Sequence, residues 1–122
     1  IPTTTTPGAK AAGVEKFITR VVRDCFQIDE QKKFNAGLEK LDQDSKAAFQ
    51  KGFTSLDAAQ KKEMITKMTT SDKPFFLQMK GLAVTGYFTS EIGATQALDY
   101  LPIPGRFSGT TEMKEGQKTW AL

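Results

Sequence analysis

The amino-acid sequence predicts an all-α fold, a compact bundle of about four to five helices with an extended N-terminal arm and an irregular C-terminal tail containing Pro and Gly. Three observations support this prediction. Apolar residues recur at spacings of three and four through the middle of the chain, as they do on one face of a helix. Residues that commonly begin or end helices divide this region into helix-length segments. The alternation of apolar and polar residues that is typical of strands is not found, so we expect little β structure.

The composition fits one soluble globular domain, which we predict to span residues 1–122. Hydrophobic residues make up 39% and charged residues 25% of the chain, and the net charge is only +3. Because the lysines are scattered rather than collected in a basic stripe, we do not expect nucleic acid as a partner. No segment approaches the ~18 continuous apolar residues that a membrane span needs.

Scarce residue types and missing motifs restrict the chemistry. The chain has no His, which excludes a Ser-His-Asp triad, and its single Cys excludes an intrachain disulfide and a multi-cysteine metal site. Residues 81–86 lack a dinucleotide fingerprint. Residues 42–44 (Asp-Gln-Asp) begin like a calcium loop, but Ala47 and Phe53 stand where that loop needs Gly and Glu. We therefore expect no catalytic residue, no cofactor and no metal ligand in this chain.

Residues 1–13 contain two Pro, two Gly and a run of Thr, which predicts the extended arm. The clearest helical period of the sequence follows it. The apolar face of this first helix comprises Val14, Phe17, Ile18, Val21, Val22 and Cys25. We interpret Cys25 as a small buried hydrophobic residue, because the Cys-x-x-Cys-His pattern of haem attachment is absent.

The second and third helices are predicted from their ends and their apolar stripes. Asp29 is a good N-cap for the second helix, and Gly52 is a reasonable C-terminal stop. The third helix begins near Asp57, with Gln60 at the spacing of a capping box. Residues 69–73 are predicted to form a loop after it. The buried positions of the two helices are Phe34, Leu38, Leu41, Met64, Ile65 and Met68.

Pro74 suits the first turn of a fourth helix. This helix is apolar on more than one face, so we expect it to be central and covered on several sides, although part of this apolar set could instead face a partner. We expect Phe76→Ala or Leu82→Ala to destabilise the fold by about 2–5 kcal/mol, the usual effect of truncating a large buried side chain. The apolar residues of this helix are Phe75, Phe76, Leu77, Met79, Leu82, Ala83, Val84, Tyr87 and Phe88.

A short fifth helix, capped by Ser90 or Thr89, is predicted to end near Leu98. In the tail that follows, Pro and Gly prevent long regular elements. Aromatic side chains in an irregular segment usually need something to bury them. Two explanations stay open here: the tail wraps its own domain, or it lies on another protein. The aromatic residues of the tail are Tyr100, Phe107 and Trp120.

Two parts of the chain carry a resemblance to a known family. Toward the C-terminal end they are residues 86–93 (Gly-Tyr-Phe-Thr-Ser-Glu-Ile-Gly), 98–100 (Leu-Asp-Tyr) and 102–109 (Pro-Ile-Pro-Gly-Arg-Phe-Ser-Gly). At the start they are the initial Ile-Pro and residues 7–18 (Pro-Gly-Ala-Lys-Ala-Ala-Gly-Val-Glu-Lys-Phe-Ile). Together these stretches resemble the gluconate 2-dehydrogenase subunit 3 family, and they cover essentially the whole chain.

This resemblance implies a non-catalytic small subunit that binds, stabilises or helps export a large flavoprotein of the glucose–methanol–choline type. The large subunit would hold FAD and oxidise a sugar or polyol, and a cytochrome c subunit often accepts the electrons. In the family, a further helix and often a twin-arginine export signal precede the Ile-Pro. We therefore expect the chain to be a fragment of a longer, exported precursor with a periplasmic location.

By the same resemblance, the tail is the best candidate for the docking surface. Its prolines hold the backbone extended, and Arg106 can bond a carboxylate of a partner bidentately, although the simpler interpretation of Arg106 is a surface arginine without a partner. We expect residues 100–107 to pack against the domain along a fixed irregular path, with Trp120 on or near a partner surface. The candidate partner-binding residues are Tyr100, Pro102, Pro104, Gly105, Arg106, Phe107 and Trp120.

Two other functions remain as alternatives. The chain could be a stand-alone helical scaffold or binding protein without a dehydrogenase partner. It could instead be an enzyme that uses Glu91 or Asp99, the carboxylates nearest the motif, as an acid–base pair. The simpler interpretation of these two residues is a favourable charge at a helix N-terminus for Glu91 and a turn residue for Asp99.

Overall fold

The computed structural model describes residues 1–103, 105 and 108–121. These residues are 63% helical with almost no strand, which confirms the prediction of an all-α bundle. A 3₁₀ turn, Phe53–Ser55, lies between the second and third helices. The elements in chain order are α1 Val14–Cys25, α2 Ile28–Phe49, α3 Ala58–Ser71, α4 Lys73–Phe88, the π-helical turn α5 Gly93–Ala97, and the strands β1 Asp99–Tyr100 and β2 Trp120–Ala121.

The chain divides into two compact units. The first, called the helical unit, is Ile18–Leu82. The second, called the terminal unit, combines Ile1–Phe17 with Ala83–Leu122. The boundaries fall inside α1 and α4, so each of these helices contributes one end to each unit. That residues 1–122 form one domain stays a prediction.

The core of the helical unit is built around Phe34, Met68 and Phe75, whose exposed fractions are 7% or less. The rings of Phe34 and Phe75 meet edge to face with 5.6 Å between their centroids, an arrangement that aromatic pairs favour. Gly37 lets α2 approach this ring closely, because a Cβ atom there would lie 2.5 Å from a carbon of Phe75. The partly buried residues that pack against this core are Ile18, Val22, Phe26, Leu41, Ile65, Phe76, Met79 and Leu82.

Both ends of α2 differ from the sequence prediction. Gln27, not Asp29, precedes the first turn, and its main-chain N–H donates to Glu30 Oε2 at 2.9 Å. Asp29 lies inside the first turn instead, where its negative charge is favourable near the positive end of the helix dipole. At the other end, Gln50 adopts the left-handed conformation with φ 54° and stops the helix. The predicted stop at Gly52 is therefore wrong.

The start of α3 and its buried side agree with the sequence prediction. Gln60 N–H donates to Asp57 Oδ1 at 2.8 Å, and Asp57 N–H donates to Gln60 Oε1 at 3.2 Å. These two bonds form the predicted capping box. Met64 and Met68, the predicted core residues, are 3% and 6% exposed.

The predicted loop over residues 69–73 is wrong. α3 continues to its end at position 71, and α4 begins directly after Asp72. The hydroxyl group of Thr69 donates to the carbonyl oxygen of Thr66 at 2.7 Å, so this polar side chain finds its partner within the helix. Asp72 Oδ1 accepts the N–H of Phe75 at 3.3 Å and caps α4. Pro74 lies in the first turn of α4, as predicted.

Several apolar side chains that were predicted to be buried are exposed. Cys25 is exposed because it is the last residue of α1 and lies at the edge of the packed face. Leu38 is 40% exposed at the edge of the buried face of α2. α4 is not covered on several sides within the described chain, since Leu77, Val84 and Phe88 are 52%, 38% and 38% exposed. The helix therefore presents part of its apolar surface to its surroundings.

Candidate partner interface

The terminal unit is organised around Tyr87, near the C-terminal end of α4. Its side chain is only 2% exposed. Its hydroxyl group donates to Pro7 O at 2.7 Å and lies 3.3 Å from Thr6 Oγ1. The prediction of an extended N-terminal arm is wrong, because this segment turns back on itself and Ala9 N–H donates to Ile1 O at 3.0 Å. The Tyr87 hydroxyl group thus joins this segment to α4.

Ser90 caps the turn that follows α4, as predicted. Its hydroxyl group donates to Tyr87 O at 2.6 Å and lies 3.1 Å from the N–H of Gly93, which donates to it. A side chain at position 93 would overlap the carbonyl oxygen of Tyr87, so only glycine fits there. α5 then closes with a bond from Leu98 N–H to Gly93 O at 2.9 Å, close to the predicted helix end. These motif residues shape the backbone between α4 and β1.

The two short strands bring the end of the described chain back beside β1. They pair in parallel, with Asp99 opposite Trp120. The N–H groups of Asp99 and Leu101 donate to the carbonyl oxygens of Thr119 and Ala121 at 3.0 and 2.9 Å. Because the pairing uses main-chain groups only, it leaves the neighbouring side chains available for other contacts.

The candidate residues of the tail are exposed where the structure describes them. Tyr100 is 51%, Ile103 81% and Trp120 45% exposed. Pro102 and Gly105 are exposed as well. The expectation that residues 100–107 pack against the domain is therefore wrong for Pro102, Ile103 and Gly105, whereas Tyr100 is about half-buried. The expected position of Trp120 on a partner surface stays a prediction. The candidate residues that lie outside the described residues are Pro104, Arg106 and Phe107.

Tyr100 forms one side of an open cleft of about 270 Å³. The hydroxyl groups of Thr89 and Thr95 donate to main-chain carbonyl groups of their own helical turns, each at 2.7 Å. Their protons are therefore already used, and the cleft offers a contact surface rather than free donors. The other lining residues are Thr89, Ser90, Glu91, Ala94 and Thr95.

The structure gives little support to the interpretations of this chain as an acid–base enzyme or as a calcium-binding protein. Glu91 and Asp99 are both exposed, so they do not form the buried pair of carboxyl groups that acid–base chemistry would need. Residues 42–44, which resemble the start of a calcium loop, lie inside α2. Within the described ranges, no group of three or more His, Cys, Asp or Glu side chains is placed to hold a metal ion. None of the described helices combines the length and the apolar character needed to cross a membrane.

The hydrogen bond of the Tyr87 hydroxyl group was not predicted from the sequence. The sequence does contain an indication of this contact, because Pro7 and Tyr87 both belong to the family-like stretches, one at each end of the chain. Two motifs that are far apart in sequence often meet in the fold, and here a hydrogen bond joins them.

Comparison with known proteins supports the resemblance. A family model described as gluconate 2-dehydrogenase subunit 3 matches residues 1–105. The matched range includes the N-terminal segment, the helices α1 to α5 and β1, whereas Trp120 lies beyond it. No curated protein and no solved structure matches the chain. The chain belongs to the gluconate 2-dehydrogenase subunit 3 family.

Proposed function

We propose that the chain is a non-catalytic small subunit that binds and stabilises the large, FAD-containing subunit of a sugar or polyol dehydrogenase of the glucose–methanol–choline type. The observation that carries this proposal is the family match over residues 1–105, because the family description names a subunit of gluconate 2-dehydrogenase. A subunit needs a surface for its partner. The exposed aromatic side chains of Tyr100 and Trp120 support the terminal unit as that surface.

In this proposal FAD belongs to the partner, and a cytochrome c subunit accepts its electrons. A dinucleotide site of the common kind needs a Gly-rich turn between a parallel strand and a helix. Within the described ranges, β1 and β2 are two residues long each, and neither leads into a helix. These two strands offer no such turn, which supports the proposal that FAD lies in the partner and that this chain binds and stabilises the subunit that holds it.

Co-expression with the dehydrogenase encoded by the neighbouring gene tests the proposal. We expect the two chains to co-purify as a yellow complex. We also expect the dehydrogenase produced alone to give less soluble, active flavoprotein. A tagged chain that elutes as a colourless monomer, together with an unchanged yield of dehydrogenase, would contradict the proposal and favour the stand-alone scaffold.

We further propose that the complex reaches the periplasm by the twin-arginine route. This location comes from the family resemblance, and its test uses the product of the natural gene. That product and the dehydrogenase are produced together in strains with and without a working twin-arginine translocase, and the cells are fractionated. Periplasmic recovery should depend on the translocase. Recovery from the cytoplasm in both strains would contradict the proposal.

A further inference from the structure

The helical unit contains a second surface feature, an open cleft between α2 and the start of α4. It encloses about 550 Å³, which is within the ~300–1,000 Å³ range of ligand sites. Every residue that lines it belongs to the helical unit. The lining residues are Lys33, Ala36, Gly37, Lys40, Asp72, Pro74, Phe75 and Gln78.

The floor of this cleft is apolar and fixed by the core. Phe75 is 7% exposed, and its ring packs edge to face against Phe34. Gly37 lies directly against the same ring. Ala36 and Pro74 add apolar surface on either side. A neighbouring hollow under the same ring has room for only about 10 Å³, so the open cleft is the part that can accept a side chain.

The rim of the cleft is positively charged. Lys40 Nζ lies 3.6 Å from Asp72 Oδ2, so its charge is partly balanced. Within the described part of the chain, Lys33 has no carboxylate at ion-pair distance. The surroundings have the same sign, because residues 18–82 contain 12 Lys and Arg against 9 Asp and Glu and so carry all of the net charge of +3.

We propose that this cleft binds an acidic segment of the dehydrogenase subunit, and this inference rests on the proposed function. An apolar side chain of that segment lies on the exposed surface of Ala36 and Pro74, above the buried Phe75 ring, and flanking carboxylates face Lys33 and Lys40. The charge favours this occupant, since carboxylates can pair with Lys33 and Lys40, whereas the same cleft of a second copy would bring lysines of the same sign against them. Two lysines on one rim are also too few to follow a nucleic-acid backbone.

The test compares two neighbouring lysines in the co-expressed complex. Lys33→Glu reverses a charge that lines the cleft. Lys32→Glu is the matched control, because Lys32 is adjacent on α2 but outside the cleft, and its ion pair with Asp29 at 3.8 Å is almost fully exposed. We expect Lys33→Glu to raise the Kd for the dehydrogenase about tenfold. Lys32→Glu should change the Kd less than about twofold, as is usual for exposed surface charges.

A second variant tests the apolar floor. Ala36→Trp fills the cleft from an exposed position of α2 and should weaken binding without reversing any charge. Circular dichroism and the thermal midpoint of each isolated variant establish that it folds. A photo-crosslinking amino acid at position 36 then identifies the segment that occupies the cleft, and we expect that segment to carry Asp or Glu on both sides of an apolar residue.

The outcomes separate this inference from the proposed function. If the wild-type complex forms but Lys33→Glu and Lys32→Glu bind alike, the cleft is not the docking site and the proposed function stands. A crosslink to a segment without acidic residues also overturns the inference. If the wild-type chain does not bind the dehydrogenase at all, the proposed function fails and the inference fails with it.

Discussion

The hydroxyl group of Tyr87 joins two parts of the chain that lie 80 residues apart. Tyr87→Phe removes this buried donor and leaves Pro7 O without it. We expect the free energy of unfolding to fall by about 1–2 kcal/mol, as for other buried hydrogen bonds that lose one partner. Urea denaturation measures the change, and Tyr100→Phe is the control because Tyr100 is 51% exposed. Equal effects of the two substitutions would contradict the role assigned to Tyr87.

Gln50 adopts a backbone conformation that glycine tolerates better. Its φ of 54° lies in the left-handed region, where a side chain is strained. Gln50→Gly should therefore stabilise the fold by about 0.5–1 kcal/mol despite the greater flexibility of glycine in the unfolded chain. The same change at Gln43, inside α2, should destabilise it by about 1 kcal/mol. A destabilised Gln50→Gly variant would show that the helix end does not have this conformation.

Asp42 connects α2 to the 3₁₀ turn that follows it. Its carboxylate pairs with Lys46 Nζ at 2.6 Å and accepts the N–H of Phe53 at 2.9 Å. The bond to Lys46, followed by the bond to Phe53, lowers the pKa of Asp42 below its ordinary value. A lowered pKa stabilises the fold above the unfolded pKa of ~3.9, and the contribution is lost as pH falls through the folded pKa.

Replacement of Asp42 by Asn tests this pH dependence. The urea midpoint of the wild type should decrease between about pH 6 and pH 3. Since Asn does not titrate, this decrease should be smaller in Asp42→Asn. Asp29→Asn is the control, because its ion pair with Lys32 is long and exposed. If both variants lose stability in acid as steeply as the wild type, Asp42 does not contribute to this dependence.

At the scale of elements, helix ends could be predicted where a local side chain sets them. The capping box of Asp57 and Gln60 is an example, because its partners are three residues apart in the sequence. The end of α2 depends on the backbone of Gln50, and the change from α3 to α4 depends on one residue, Asp72. The exposed side of α4 could not be predicted either, since its apolar residues surround the helix and the neighbouring elements decide which of them are covered.

The position of a residue on α4 determines how strongly it supports the core. Phe75→Ala should destabilise the fold by about 3–5 kcal/mol, because Phe75 is 7% exposed and contacts the ring of Phe34. Phe76 and Leu82, chosen from the sequence alone, are only partly buried, so their effects should be smaller. Leu77→Ala should have little effect, since Leu77 is 52% exposed. Chemical denaturation measures the loss of unfolding free energy in each variant. An equal loss for Phe75→Ala and Leu77→Ala would contradict this ranking.

At the scale of the whole molecule, the family could be recognised from the sequence, but the surface of the chain could be predicted only in part. The stretches at both ends of the chain indicated the family, and the tail aromatics that the structure describes, Tyr100 and Trp120, are exposed. The pairing of β1 with β2 could not be predicted, because strands of two residues are too short to show alternation. The cleft beside Phe75 could not be predicted either, as it depends on the contact between α2 and α4.

The sequence left open whether the tail aromatics wrap their own domain or contact a partner, and Trp120 can decide this. If Trp120 contacts the dehydrogenase, Trp120→Ala should weaken the complex about tenfold or more, as truncation of a buried interface tryptophan commonly does. The thermal midpoint of the isolated chain should change little, because this side chain is already 45% exposed. Met113→Ala is the matched control, since Met113 is an apolar tail residue that is 85% exposed.

Titration calorimetry gives the affinity of each variant for the dehydrogenase, and scanning calorimetry gives the thermal midpoint of each isolated variant. A Trp120→Ala chain that binds as the wild type does but melts at a much lower temperature would show that the tail supports its own fold.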